Sequence, residues 1–177
     1  MTKTKDIALI SIYSALLVAA QYVLGFVAGI ELVTVMLLSF SYYFGPSRGA
    51  IVSVCFSLLR CLVWGFYPTV FILYITYYPL FAIAFGYIGK WLKLSNINRG
   101  IKIVIVVILA LILTCIFTLL DDVITPVFYG FNLNATKAYF ISSLPTMLTQ
   151  VICNLITVSI LFPILTRLFK TVYKNGY

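Results

Sequence analysis

One arginine stands in the middle of a nearly uncharged stretch of the chain, SVCFSLLRCLVWGFY at residues 53–67. A guanidinium is a planar group with five donors that binds carbonyl and carboxylate oxygens. In hydrocarbon its charge costs at least ~2.5 kcal/mol, so such an arginine normally faces a bundle interior or a wet cavity and has a partner. The side chains that share the helix face of Arg60, at steps of three and four residues, are Ser53, Ser57, Trp64 and Tyr67.

Three carboxylates are the candidate partners of this arginine, because they lie at the ends of apolar segments at a matching depth. They are Glu31, Asp121 and Asp122. Carboxylates also accept hydrogen bonds from amine and ring N–H groups, so the same residues suit a polar ligand. Two other interpretations of Arg60 are compatible with the sequence: an internal ion pair that locks two helices together, and a side chain that snorkels to the outer surface.

Polar residues recur at helical spacing in other apolar segments. The stripes are Ser143, Thr146, Gln150, Asn154 and Thr157 in one segment, Thr114 and Thr118 before Asp121 or Asp122 in another, and Glu31, Thr34 and Ser41 in a third. Polar side chains can hold membrane helices together at ~0.6 kcal/mol per bond, so each stripe taken alone is compatible with simple packing. The convergence of four stripes toward one membrane face favours an outward-facing pocket.

Aromatic residues concentrate on the same side as these polar groups. Tyrosine and tryptophan also populate the interfacial belt of membrane proteins, which accounts for part of the pattern. Rings beside a charge and amides are typical of a site for a flat, hydrogen-bonding molecule. The predicted substrate-binding residues are Glu31, Arg60, Trp64, Tyr67, Tyr74, Tyr78, Asp121, Asp122, Gln150 and Asn154.

Several kinds of catalytic chemistry are excluded by residue types. The chain contains no histidine, which removes Ser-His-Asp and Cys-His nucleophiles and the HExxH zinc site. Asp121 and Asp122 are adjacent, so on a helix they point about 100° apart and do not form a facing pair. No GxxxxGK[ST] motif occurs, and the four cysteines lack metal-ligand spacing. We therefore predict a protein that is not an enzyme and that holds no metal or cofactor.

The elements that must position these residues are membrane helices. The chain is 63% hydrophobic and 9% charged over 177 residues, far from a soluble domain. We predict an all-α integral membrane bundle, one domain of six transmembrane helices over residues 1–177. The predicted segments are 7–25, 31–44, 49–66, 70–92, 102–120 and 138–167. For the last of them, a start near Ser143 with Pro145 in the first turn and a kink at Pro145 are both compatible with the sequence.

The positive charges predict the orientation. Ten of the 12 lysines and arginines fall in the terminal tails or in the loops after segments two and four. Loops rich in these residues stay cytoplasmic, so both termini are predicted to be cytoplasmic and the loops near 26–31, 67–69 and 121–137 to face outward. The net charge of +8 is thereby explained by topology, and no nucleic-acid partner is expected.

The first segment contains SIYSALLVAAQYV, in which Ser11, Ala15 and Ala19 are spaced four residues apart. Small residues at that spacing let another helix approach closely. With this motif, its length and its six predicted helices, the chain resembles the substrate-binding S components of energy-coupling factor (ECF) vitamin transporters. The resemblance implies a multi-pass protein of the bacterial cell membrane that captures a vitamin or cofactor precursor. It also implies a transmembrane T component that Ala15 and Ala19 contact, and two cytoplasmic ATPase subunits.

Two other functions are compatible with the sequence. A morphogenesis scaffold similar to the rod-shape protein MreD is also small and multi-helical, but it needs packing faces and no pocket. A small secondary transporter is disfavoured because 177 residues leave little room for the internal repeats common in that class.

Overall fold

The computed structural model describes residues 3–25 and 32–175, and these residues form six α-helices without a strand. The helices are α1 (Lys3–Leu24), α2 (Val33–Phe44), α3 (Pro46–Trp64), α4 (Pro68–Leu94), α5 (Arg99–Tyr129) and α6 (Leu133–Asn175). All except α2 are long and apolar enough to cross a membrane. The predicted class, an α-helical membrane bundle, is confirmed, and the chain is a multi-pass membrane protein.

The short helix α2 lies in the centre of the bundle. It packs against α4, α6 and α3, and five of its apolar side chains are completely buried: Val33, Val35, Leu37, Leu38 and Phe40. Because its 12 residues rise about 18 Å, α2 alone does not cross ~30 Å of hydrocarbon. Its neighbours enclose it instead, which explains why a segment too short to span is nevertheless strongly apolar.

Basic residues gather at one end of the bundle. Arg48, at the start of α3, pairs with Asp6 of α1 at 3.2 Å. Lys93, at the end of α4, donates to the main-chain carbonyl of Tyr43 at 2.9 Å. A cavity of about 80 Å³ between the start of α5 and the far part of α6 is lined in part by Arg99. The residues predicted to face the cytoplasm therefore share one end, and we call the opposite end, where α5 turns into α6, the outer end.

The helix boundaries differ most from the prediction at the outer end. The sequence suggested a loop over 121–137, whereas α5 continues to Tyr129 and α6 begins at Leu133. The carboxylates of Asp121 and Asp122 accept hydrogen bonds from neighbouring side chains, so the helix does not have to end at them. Gly130 ends it in the left-handed conformation, with φ of 64°, which glycine adopts without steric cost.

The last helix passes through two prolines. It runs without interruption from Leu133 to Asn175 and contains both Pro145 and Pro163 in its interior. The interpretation that placed Pro145 in the first turn is therefore wrong. Proline inside a membrane helix is tolerated because neighbouring groups and small local adjustments satisfy the freed carbonyl. The true start at Leu133 was missed because residues 133–137 were assigned to the outer loop.

Helix α4 approaches the α2–α3 corner through two glycines. Gly86 lies against Pro46, and Gly89 lies against the main chain of Tyr42, so closely that a methyl group at either glycine would overlap those atoms. Main-chain atoms cannot move aside as the end of a flexible side chain can. These two glycines therefore set the distance between α4 and the central helix.

Replacement of Gly86 by alanine should lower the stability of the bundle by about 1–3 kcal/mol, the usual cost of overpacking. Gly100 provides the matched control, because a methyl group there meets nothing within 4 Å. Gly100→Ala should be neutral or stabilising by up to about 1 kcal/mol through helix propensity. Thermal unfolding of both variants in the same detergent measures the difference, and equal melting temperatures would contradict this account of the contact.

Candidate functional site

Helices α5 and α6 form a hairpin whose facing sides are polar. Four hydrogen bonds between side chains of the described residues cross it, from the membrane interior to the outer end. The pairs are Asn154 with Thr114 at 2.8 Å, Thr118 with Gln150 at 3.1 Å, Ser143 with Asp122 at 2.7 Å, and Tyr139 with Asp121 at 2.8 Å. The predicted stripes of these two helices therefore meet each other. Part of their role is to hold the hairpin together, as the packing interpretation expected.

Asp121 has hydrogen-bond donors at both carboxylate oxygens. Thr125 donates to Oδ1 at 3.0 Å, and the hydroxyl of Tyr139 donates to Oδ2 at 2.8 Å. One donor comes from the next turn of α5 and the other from α6. Asp121 is thus fixed in position, with its side chain at the surface of a cavity.

Asp122 is bonded less completely than its neighbour. Its side chain is 4% exposed, and Oδ2 accepts from Ser143, but the enclosed Oδ1 has no hydrogen-bond partner among the described residues. An unsatisfied buried polar atom costs about 1–3 kcal/mol, and more when it carries charge. Such an atom in a native fold calls for a specific explanation, and a functional site is one.

A cavity of about 270 Å³ opens between the two helices beside these carboxylates. Its lining residues are Phe117, Thr118, Asp121, Tyr139, Ser142, Ser143, Thr146 and Gln150. The volume is close to the lower limit of ~300 Å³ for small-molecule pockets. A carboxylate, an amide, several hydroxyls and two rings surround this space, so it can hold a small molecule with one ring and several hydrogen-bonding groups.

Arg60 belongs to a second cluster at the outer end, formed by α1, α3 and α4. Its guanidinium carbon lies 4.2 Å from the ring centre of Tyr74 and 5.8 Å from that of Trp64. Gln21 donates from Nε2 to the Tyr74 hydroxyl at 3.0 Å. Stacking on aromatic faces stabilises a partly desolvated guanidinium by about 0.5–2 kcal/mol. Aromatic rings therefore contact the guanidinium, where the sequence predicted carboxylates.

The expected ion pair between Arg60 and Asp121 or Asp122 does not form. Within the described ranges, no carboxylate oxygen lies within 4.0 Å of the arginine, and its Nε is enclosed without a hydrogen-bond partner. The reason is the order of the helices: α3 packs against α1, α2 and α4, whereas α5 packs against α4 and α6. Glu31, the third predicted partner, lies outside the residues that the structure describes.

One ring connects the two clusters. Phe117 lines the α5–α6 cavity and also lies 5.9 Å from Tyr74, the residue under the guanidinium, between ring centres. Phe117 therefore lies between the cavity and the cluster of Arg60, Trp64 and Tyr74. These three predicted residues do not line the cavity with Asp121. The structure thus places Arg60, Trp64 and Tyr74 in one group and Asp121, Asp122 and Gln150 in another.

Two predicted aromatic residues occupy positions that differ from the rest. Tyr78 is 2% exposed and packs edge to face on Phe56 at 5.4 Å, which makes it part of the bundle core. Tyr67 is 59% exposed and follows the end of α3. The sequence indicated their depth in the membrane but not the neighbours that cover them.

Sequence reasoning did not select three residues of the site, Tyr139, Phe117 and Gln21. Tyr139 lies four residues before Ser143, so it continues the polar stripe of α6 at helical spacing. It was overlooked because the predicted polar stripe was counted only from Ser143 onward. Phe117 and Gln21 carried no comparable signal, since a lone ring or amide in an apolar helix is more often a packing residue.

The geometry gives no support for a metal centre. Among residues 3–25 and 32–175, no group of three or more aspartate, glutamate, cysteine or histidine side chains is placed to bind a metal ion. The four cysteines form no disulfide and are partly buried within the helices.

Replacement of Tyr74 by phenylalanine tests the hydrogen bond beneath the arginine. It keeps the ring under Arg60 and removes only the hydroxyl, which leaves the half-buried amide of Gln21 without this acceptor. We expect a loss of stability of about 1–2 kcal/mol, the cost of an orphaned donor. Thermal unfolding measures it. Gln21→Leu combined with Tyr74→Phe should recover part of the loss, because both polar partners are then removed.

No protein-family model, no curated protein and no solved structure matches this chain.

Proposed function

We propose that the protein is the substrate-binding S component of an ECF-type importer in a bacterial cell membrane. It captures a vitamin or cofactor precursor from the outside and delivers it inward with a T component and two ATPase subunits. The observation that carries the proposal is the polar cavity of about 270 Å³ between α5 and α6, which contains Asp121 and Gln150 in a pair of membrane-spanning helices. A packing face alone does not require such a space.

The surface of α1 supports a transmembrane partner. Three small residues of α1 are exposed on the side of the helix that faces away from the bundle: Ser11, Ala15 and Ala19. Tyr13 and Leu17 of the same helix are buried against its neighbours. The small residues thus form a flat strip that a helix of another protein can approach closely. A strip that served internal packing would be covered instead.

The test of capture is direct. The protein is purified from membranes of expressing cells, denatured, and any released small molecule is identified by mass spectrometry. We expect one compound in near-stoichiometric amount, and we expect Gln150→Leu to reduce its retention because the cavity loses an amide. Ser159→Leu is a matched control. Ser159 is exposed on the same helix, and its hydroxyl donates to the main-chain carbonyl of Leu155, one turn earlier. A scaffold would retain nothing in either form.

Tryptophan fluorescence should report binding of the compound so identified. Trp64 lies within 5.8 Å of Arg60 and 5.6 Å of Tyr22 at the outer end, whereas Trp91 is 59% exposed near the opposite end. In a Trp91→Phe background the remaining signal belongs to Trp64. We expect it to change with added ligand because Phe117, which lines the cavity, contacts Tyr74 beneath Arg60, next to Trp64. The Trp64→Phe variant, which keeps only Trp91, should show no change.

A further inference from the structure

The carboxylates of the α5–α6 hairpin carry a negative charge that no neighbouring side chain balances. Among the described residues, no lysine or arginine nitrogen lies within 4.0 Å of a carboxylate oxygen of Asp121 or Asp122. We propose that the substrate of this site carries a positively charged nitrogen, as a protonated amine or a cationic ring, that pairs with Asp122. This inference rests on the proposed function and specifies its ligand.

The first step of the argument is the unused oxygen. Asp122 is 4% exposed, its Oδ1 is enclosed, and that atom accepts no hydrogen bond from the described residues. Asp121, directly before it, has donors at both oxygens. A protein that needed Asp122 only to fix the hairpin would satisfy it as it satisfies Asp121. The unused acceptor thus calls for a donor that the described residues do not supply.

The second step is the space around it. Asp122 lines a second cavity of about 340 Å³ beside the α5–α6 turn, and its hydrogen-bond donor Ser143 lines the first cavity of about 270 Å³. The Asp122–Ser143 bond therefore stands between two open spaces. A ligand group in the second cavity meets Asp122 directly. A ligand group in the first cavity reaches Asp122 when it takes the place of the Ser143 hydroxyl.

The third step is the kind of surface that surrounds the carboxylates. Phe117 and Tyr139 line the first cavity, and Phe131 lines the second and lies 6.0 Å from Tyr139 between ring centres. Aromatic faces attract cations and do not attract anions. Two carboxylates among rings thus favour a cationic group strongly over a neutral or anionic one.

The basic residues at this end do not compete for the carboxylates. Arg60 is stacked on Tyr74 in the other cluster, and Lys137 is exposed on α6 and more than 4.0 Å from either aspartate. Neither residue supplies the missing counter-charge. Arg60 is also kept apart from the site by Phe117, whose ring contacts Tyr74 at 5.9 Å.

Three small probes that share a ring but differ in charge test the proposal: benzylamine, which is protonated at neutral pH, benzyl alcohol and benzoate. Each is titrated into the detergent-purified, ligand-free protein while the melting temperature is followed. We expect only benzylamine to stabilise the wild type, and we expect Asp122→Asn to weaken its apparent affinity at least about tenfold, as loss of a charge-assisted contact does. Asp6→Asn, at the opposite end, should leave the affinity unchanged.

The outcomes separate the two proposals. Stabilisation by benzoate equal to that by benzylamine, no stabilisation by benzylamine, or an unchanged affinity in Asp122→Asn would overturn the cationic substrate. If a released compound is nevertheless found and uptake still depends on the α1 strip, the importer proposal stands and only the ligand class is wrong. If neither retention nor uptake is found, the importer proposal itself fails.

Discussion

Asp122→Asn is expected to raise the melting temperature of the ligand-free protein, whereas Asp121→Asn is expected to lower it. Asp122 has an enclosed oxygen without a hydrogen-bond partner among the described residues, so removal of its charge relieves a cost of about 1–2 kcal/mol. Asp121 accepts bonds from Thr125 and Tyr139, and an amide replaces one of its acceptor oxygens with a donor. We expect that change to cost about 2 kcal/mol.

Opposite changes in melting temperature at these adjacent residues would exclude a general effect of the substitution on the helix or on its contact with detergent. The two substitutions are chemically identical and stand one residue apart on the same helix, so helix propensity and detergent affect them equally. A change of 1 kcal/mol corresponds to about 2–4 °C for a chain of this size. Thermal unfolding after extensive washing to remove bound molecules measures both. Equal losses in both variants would mean that Asp122 is a structural acceptor like Asp121, and the case for a ligand at that residue would fall.

A residue that is kept at the expense of stability is typical of a binding site, because selection for function preserves groups that the fold alone would replace.

The polar residues between α5 and α6 differ in this respect from the membrane interior to the outer end. Thr114 and Asn154 meet at 2.8 Å deep in the bundle and are both buried. Their bond is explained by hairpin packing, so we assign the proposed binding function to the outer end, where Asp121, Asp122 and the two cavities beside them lie.

The sequence predicted the helices and the polar faces well because both follow from local spacing. Gln150 and Asn154 of α6 do face α5, as steps of four residues require, and Thr118 of α5 faces them. Helical periodicity tells which residues share a face and how deep they lie. It therefore indicated correctly which residues of α5 and of α6 share a polar face, although it treated the turn between the two helices as a longer loop.

The pairing of Arg60 with Asp121 or Asp122 was wrong because depth and face do not specify which helix is the neighbour. Both aspartates lie at the same end as Arg60, but α3 packs against α4, and α4 in turn packs against α5. Arg60 instead stacks on the ring of Tyr74. The spacing of residues along the sequence does not reveal such a contact. The order of helices in the bundle depends on close contacts such as that of Gly86 with Pro46, which only the fold reveals.

Tryptophan at Ala15 or Ala19 is expected to reduce substrate uptake at least about tenfold while leaving substrate affinity unchanged. Both alanines are exposed on α1, on the strip that we propose a transmembrane partner covers. A bulky ring there holds the partner helix away from the close approach that small residues allow. The α5–α6 cavity is lined by no residue of α1, so the ring cannot disturb capture directly.

Ile108→Trp is the matched control. Ile108 is 51% exposed in the middle of α5, so tryptophan there adds the same ring to a lipid-facing surface without touching the strip. Uptake in whole cells and ligand binding to purified protein are measured for all three variants. We expect Ile108→Trp to transport normally. Loss of binding together with uptake in Ala15→Trp and Ala19→Trp would show that α1 supports the fold and not a partner, and normal uptake would remove the strip from the mechanism.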